Sequence, residues 1–291
     1  MARLDRRALM GASLAMIAAP TAADALLPWP LAVQLWSVDA EMRRDVLGTL
    51  RALARLGYRS VEAAGWHGLA PIAFGKAVGD AGMGCTSAHI PFGRLAADTD
   101  AALGEARDAG CCWAVCPSPE PRAPLAARLD WNTALTRAMT RDDWLRHAET
   151  LDRVGARAAT RGIGLAYHNH AAEFARYGDV SGLDLLLSGT SPANVRLELD
   201  IGWAAVAGQD PAKLIERLGR RVALLHLKDA RRDGATRIPA PAGDGLIDWK
   251  AVLAAARRAG VAAAFVEVER PLAVPPLEAL ATVRDFLTRL R

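Results

Sequence analysis

Val222-Ala223-Leu224-Leu225-His226-Leu227-Lys228-Asp229 is an apolar run that ends in an imidazole, an ammonium and a carboxylate. Such a run reads as a strand buried on both faces, and the polar groups mark where it leaves the core. Four other segments have the same form: Ser87-Ala88-His89, Tyr167-His168-Asn169-His170, Glu198-Leu199-Asp200 and Val266-Glu267-Val268-Glu269. Polar side chains at the ends of successive strands, with helical stretches between them, converge on one mouth when a parallel sheet closes. The pattern predicts an α/β fold, a (β/α)8 barrel in one domain.

Working outward, eight strands can be placed at 31–37, 60–63, 85–89, 113–116, 164–168, 195–200, 222–226 and 263–267. Leu47, Leu50, Leu53 and Leu56 keep helical spacing until Gly57, and further helices fit near 71–81, 101–109, 180–187, 211–218, 249–259 and 277–290. Thr140-Arg141-Asp142-Asp143 reads as a capped start of a helix reaching Arg161. Pro117, Pro119, Pro121 and Pro124 predict an irregular connection up to that cap. An open doubly wound sheet is disfavoured, because Gln34-Leu35-Trp36-Ser37 lacks the glycine-rich phosphate turn expected after its first strand.

The 291 residues are 52% apolar and 23% charged, enough for a large core in a single domain at 26–291. A net charge of +4 with dispersed Lys and Arg excludes a dedicated nucleic-acid surface. Arg6-Arg7, the apolar stretch Ala8 to Ala19 and Ala23-Asp24-Ala25 read as an export signal over residues 1–25, of twin-arginine type. The stretch is too short for a comfortable membrane span, so no stable membrane insertion is expected once it is removed. The implied location is periplasmic or exported, and cytoplasmic if the signal does not function. Cys85, Cys111, Cys112 and Cys116 form no recognisable disulfide framework or zinc motif and read as structural thiols.

Asp200, His226 and Glu267 end consecutive strands, and carboxylate with imidazole is a donor set for one divalent ion such as manganese, magnesium, cobalt or zinc. His168 is the candidate fourth ligand. In the alternating string 167–170 both histidines share a face, so His170, with Glu173 nearby, is a candidate for proton transfer or substrate hydrogen bonds. Lys228 shares the face of His226; it either stabilises a developing enolate oxygen or forms a rim salt bridge to Asp229 or Glu198. Glu62 and His89 are candidates for substrate hydroxyls, and Trp36, Trp66 and Trp203 for sugar-ring platforms. Trp249 reads as core packing and His147 as part of a solvated helix face.

Val33-Gln34-Leu35-Trp36-Ser37, Tyr167-His168-Asn169-His170, Glu198-Leu199-Asp200-Ile201-Gly202-Trp203, His226-Leu227-Lys228-Asp229, Gly243-Asp244-Gly245-Leu246-Ile247-Asp248-Trp249 and Phe265-Val266-Glu267 together resemble the xylose isomerase-like TIM barrel superfamily, in its sugar phosphate isomerase/epimerase branch. The resemblance covers essentially the whole chain after residue 25. It implies one divalent ion held from strands five to eight, with His168, Asp200, His226 and Glu267 at the ligand positions. It also implies proton abstraction beside the carbonyl of a ketose or keto-sugar, that is, isomerisation or epimerisation. Glu267, His168, His170 and Lys228 are the candidate catalytic groups. On strand five many epimerases carry a glutamate where this chain has His168, which opens two alternatives on the same scaffold: cleavage of 3-keto-glycosides, or dehydration. A non-catalytic periplasmic sugar-binding protein is the reading of another class. An abasic-DNA endonuclease on this barrel would need more histidine ligands than six histidines supply, together with a basic groove. The expected partner is therefore a small sugar or keto-sugar and not a nucleic acid.

Overall fold

The computed structural model describes residues 27–290; the export signal expected at 1–25 lies outside them. Eight strands form the barrel: β1 (Ala32–Gln34), β2 (Ser60–Ala63), β3 (Gly84–His89), β4 (Trp113–Cys116), β5 (Gly164–His168), β6 (Val195–Asp200), β7 (Val222–Leu227) and β8 (Ala263–Val266). Each pairs in parallel with its neighbours in sequence, and β1 closes the ring by pairing with both β2 and β8. Helices fill the outside, and their apolar stripes pack on the outward face of the strands as one continuous core. The chain is thus the expected closed (β/α)8 TIM barrel.

Inside the barrel the layers differ in chemistry. The floor is apolar: Ala32, Val115, Ala166, Ala223, Leu224 and Phe265 are buried together, with Trp113 packed against them. Trp113 fits because β5 begins with Gly164, whose missing Cβ would lie 2.4 Å from the indole. Above this plug the inward positions turn polar at Glu62, Ser87, His89, His168, Glu198, Asp200 and His226, all at or near the carboxyl ends of their strands. Two register shifts interrupt the ladder, one between Val61 and Glu62 and one between Leu197 and Glu198. Each falls at a buried carboxylate, which is how a bulge re-aims a side chain without breaking the sheet.

Several expectations are revised. The strand expected at 31–37 stops at Gln34, because the Gln34 side chain accepts the Trp36 amide at 3.0 Å and turns the chain into a short 3-10 helix, Leu35–Val38. The proline-rich connection carries a helix, Trp131–Ala138, capped where Asp130 accepts the Thr133 amide; the prolines constrain only the residues before it. The expected capping box at Thr140 and Asp143 is present, and the helix runs from Arg141 to Ala159. A hairpin of Asp229–Asp233 with Thr236–Ala240 follows β7. Its charged, alternating sequence gave no apolar run to read. Among the described residues no helix is long and apolar enough to cross a membrane.

His147 is not on a solvated face. It is fully buried, its Nδ1 donates to the Asp143 carbonyl at 2.7 Å, and its Nε2 accepts the Glu120 amide at 2.8 Å. It holds the long loop after β4 onto the helix 141–159. Burial pushes its pKa from 6.5 down to about 4. A histidine with a lowered folded-state pKa contributes stability above pH 6.5 that is lost as pH falls toward 4. Between pH 7 and 5 the expected loss is about 2 kcal/mol. Denaturant unfolding of wild type and of His147→Asn at both pH values checks this; a difference between the two proteins that does not change with pH contradicts it.

Candidate metal and acid–base site

Four strand ends build the mouth, and local contacts fix each of them. Asp200 ends β6 and caps the helix Ile201–Val206, its Oδ1 accepting the Trp203 amide at 2.8 Å. Asn169 ties β5 to β6 by accepting the Asp200 amide at 3.1 Å. Ser37 pins the end of β8 by accepting the Val268 amide at 3.0 Å. Gly202 leaves room for Lys228, whose Cγ would lie 2.3 Å from a Cβ there. Asp229 faces away from the mouth: it accepts the amides of Ala230, Gly243 and Ile247 and the Trp249 indole, and so organises the loop 243–249.

His168, Asp200, His226 and Glu267 bring donor atoms within 4.8 Å of one another. His226 Nδ1 lies 2.8 Å from Glu267 Oε2 and 3.8 Å from Asp200 Oδ2, and His168 Nε2 lies 3.9 Å from that same Asp200 oxygen. A second group, His89, His168, Glu198 and His226, lies on the inner side. There Glu198 Oε2 is 3.3 Å from His168 Nδ1, 3.2 Å from His226 Nε2 and 3.0 Å from His89 Nε2. The two groups therefore share two imidazole rings through opposite nitrogens. A neutral imidazole has one lone pair and one N–H. If the outer nitrogens bind an ion, the inner ones carry hydrogen, that of His226 directed at Glu62 at 2.7 Å and that of His168 facing Glu198 at 3.3 Å, the arrangement that fixes ring orientation and tautomer in metal centres.

The residues fit a divalent ion. Asp200 Oδ2, on the outer side, is buried with no hydrogen bond and only the Lys228 ammonium beside it at 2.9 Å, and two imidazoles with two carboxylates suit a borderline or hard cation. Charge points the same way. Glu62, Glu198, Asp200, Glu267 and Glu269 surround three basic groups, Lys228, His89 and His226. Burial would lower the His226 pKa, but Glu198 and Glu267 outweigh it and hold it well above the usual histidine range. His89 is lifted to about 9 against burial by Glu62 and Glu198. Burial and the neighbouring His226 hold His168 neutral, and burial with Lys228 lowers His170 to about 3. Burial opposes ionisation of Glu267, yet Lys228 and His226 keep it a carboxylate.

Lys228 is buried and lies 2.9 Å from Asp200, 2.6 Å from Glu267 and 2.6 Å from Glu269. Its partners are these three and not Asp229 or Glu198. Together they outweigh burial and raise its pKa well above the lysine range. Trp203 donates to Glu269 and stands 5.6 Å from the ammonium, so it lines the mouth. His170 sits between Trp131 and Trp203, at ring separations of 4.6 and 5.6 Å. Glu173 accepts the Tyr167 hydroxyl and the His170 amide, and burial raises its carboxyl to about 7; it braces the β5 loop. Glu62 accepts from Gln34, Ser87 and His226 and lies 3.0 Å from His89, so the bonding capacity of Glu62 and the Nε2 of His89 are engaged within the inner cage. Trp36 is 55% exposed. Trp66 packs edge-on to Phe74 and donates to Glu105, outside this cluster.

Sequence reasoning passed over Glu198, Glu269 and Trp131 as site residues. The first two were detectable, since each lies two residues from a chosen ligand on the same strand or its extension and so shares its face. Trp131 was not, because a loop of more than a dozen residues separates it from β4.

The chain belongs to the xylose isomerase-like TIM barrel family, which matches residues 50–290. It is 29% identical over 168 residues to an inosose dehydratase of Lacticaseibacillus casei, covering 51% of this chain and 55% of that protein. An inosose dehydratase of Geobacillus thermodenitrificans is 28% identical over 165 residues, covering 51% and 55%. The chain thus spans about half the length of the curated relatives it matches. A sugar phosphate isomerase/epimerase of Parabacteroides distasonis shares the fold with a TM-score of 0.73, at 24% identity, over 89% of this chain and 93% of that one.

If Glu198 anchors both imidazoles, Glu198→Gln weakens binding of a divalent ion by about 10- to 100-fold while the barrel stays folded. Calorimetric titration with manganese, alongside circular dichroism, measures both. Unchanged affinity in a folded variant removes Glu198 from this role.

Proposed function

We propose that the protein is a divalent-metal-dependent enzyme that removes the proton beside the carbonyl of a polyhydroxylated ketone and then expels a neighbouring hydroxyl as water. His168, Asp200, His226 and Glu267 would hold the ion. When bound, it supplies a Lewis acid that polarises the carbonyl and acidifies the adjacent C–H. The observation that carries the reading is the 2.6 Å contact between Glu267 and Lys228, a buried base and a buried acid side by side.

Glu267 is ionised and takes the carbon-bound proton. Its protonation removes one of the three carboxylates that hold the Lys228 proton, so the ammonium becomes the stronger acid as the proton arrives. Lys228 then delivers its proton to the departing hydroxyl, water leaves, and transfer across the 2.6 Å contact restores both groups. Elimination needs one base and one acid, and this pair supplies them on one side. Similarity to inosose dehydratases over half the chain supports this direction.

Epimerisation is the second reading. It needs an acid/base group on the opposite face of the carbon, and a neutral His170 with an unpartnered Nδ1, flanked by Trp131 and Trp203, favours it. Export by the twin-arginine route is part of the proposal and rests on Arg6-Arg7 and the apolar stretch behind them.

The two readings share their first step and diverge after it. With a cyclic polyhydroxy ketone in deuterated water, elimination yields an unsaturated ketone lighter by one water, whereas epimerisation yields a deuterated isomer. We expect Glu267→Gln to lose exchange and product by about 10²- to 10⁴-fold, and Lys228→Gln to keep measurable exchange while losing elimination. A deuterated isomer without unsaturated product decides for epimerisation. Wild-type protein that binds ligand yet exchanges no proton with any ketone tested leaves only the sugar-binding reading.

A further inference from the structure

We infer that Cys85 and Cys111 are a dithiol pair that closes into a disulfide across the amino-terminal end of the barrel. Their sulfurs lie 2.9 Å apart, inside van der Waals contact, although 26 residues separate them in the chain. The sheet explains the approach. Ser87 is paired with Trp113 in the β3–β4 ladder, and the Cys112 amide donates to the Thr86 carbonyl at 3.0 Å, so the same register carried back two residues sets Cys85 beside Cys111. Neighbouring strands run ~4.8 Å apart, within the ~4.4–6.8 Å Cα separation a disulfide spans.

The other two thiols are directed elsewhere. Cys112 is exposed and points its sulfur at the Thr86 carbonyl at 3.3 Å; Cys116 is buried at the far end of β4 and points at the Ser118 carbonyl at 3.4 Å. Cys85 is half-buried and Cys111 buried, so an oxidant reaches Cys85 first. The Cys85 thiolate attacks one sulfur of a disulfide oxidant, such as oxidised glutathione or a protein dithiol oxidase, and expels a thiolate. Cys111 loses its proton and attacks the Cys85 sulfur, releasing the second thiolate. Two thiols thus give up two electrons and two protons, and the oxidant's disulfide becomes two thiols. The bond lies at the opposite end of β3 from His89, where barrel residues serve stability and not chemistry.

The test uses the full chain, purified reduced and then held with oxidised glutathione. Counting thiols under denaturing conditions should fall from four to two, and peptide mapping should recover one link joining Cys85 to Cys111. The oxidised protein should melt higher than the reduced one by on the order of 5 °C or more. Cys112→Ser should behave as wild type, and Cys85→Ser should show no oxidation-dependent gain. Persistence of four thiols, a link to Cys112 or Cys116, or a glutathione adduct that stays on Cys85 overturns the inference.

Discussion

Two imidazole rings, His168 and His226, stand between two sets of carboxylates, and the rest of the site depends on how that contest is settled. On the outer side Asp200 and Glu267 approach one nitrogen of each ring; on the inner side Glu198 approaches the other nitrogen of both, and Glu62 that of His226. Each neutral ring can serve one side as acceptor and the other as donor. His226, held well above its usual range, carries hydrogen on both nitrogens, so an ion would have to displace the proton facing Glu267 while the inner carboxylates keep theirs. The apolar floor beneath, plugged by Trp113 and Phe265, keeps water from relaxing that choice from below.

The same arrangement accounts for Lys228. An ammonium buried among Asp200, Glu267 and Glu269 keeps its proton only while those carboxylates are charged. A change of one charge in the mouth is therefore felt immediately by the neighbouring acid. Glu269 also accepts from Trp203, which ties the wall of the mouth to Lys228. Glu267 completes the coupling, because it belongs both to the group that could hold an ion and to the contact with Lys228.

The barrel and half of its site were legible in the sequence, for physical reasons that differ by residue. Asp200, His226 and Glu267 follow apolar runs too short for helices, which marks them as strand ends and places them at one mouth. The bulge at Leu197/Glu198 was not legible, because strand pairing is set by neighbours distant in sequence, and it is the bulge that aims Glu198 at two rings at once. Lys228 was placed on the correct face, but its partners come from the ends of β6 and β8, and sequence proximity to Asp229 suggested the wrong one. The expectation for His147 fails because its helix is highly charged, while the loop that buries it is distant in sequence and is anchored through the Glu120 amide on His147 and the Glu120 carbonyl on Arg146.

The central claim is that one ion occupies the outer edge of the two shared rings, with the inner carboxylates holding their hydrogens. Crystals of the protein grown with manganese and measured for anomalous scattering test it directly. The account predicts one peak per chain, bounded by His168 Nε2, Asp200 Oδ2, His226 Nδ1 and Glu267 Oε2. A peak among His89, Glu198 and the inner nitrogens, or no peak from manganese-saturated protein, would contradict it.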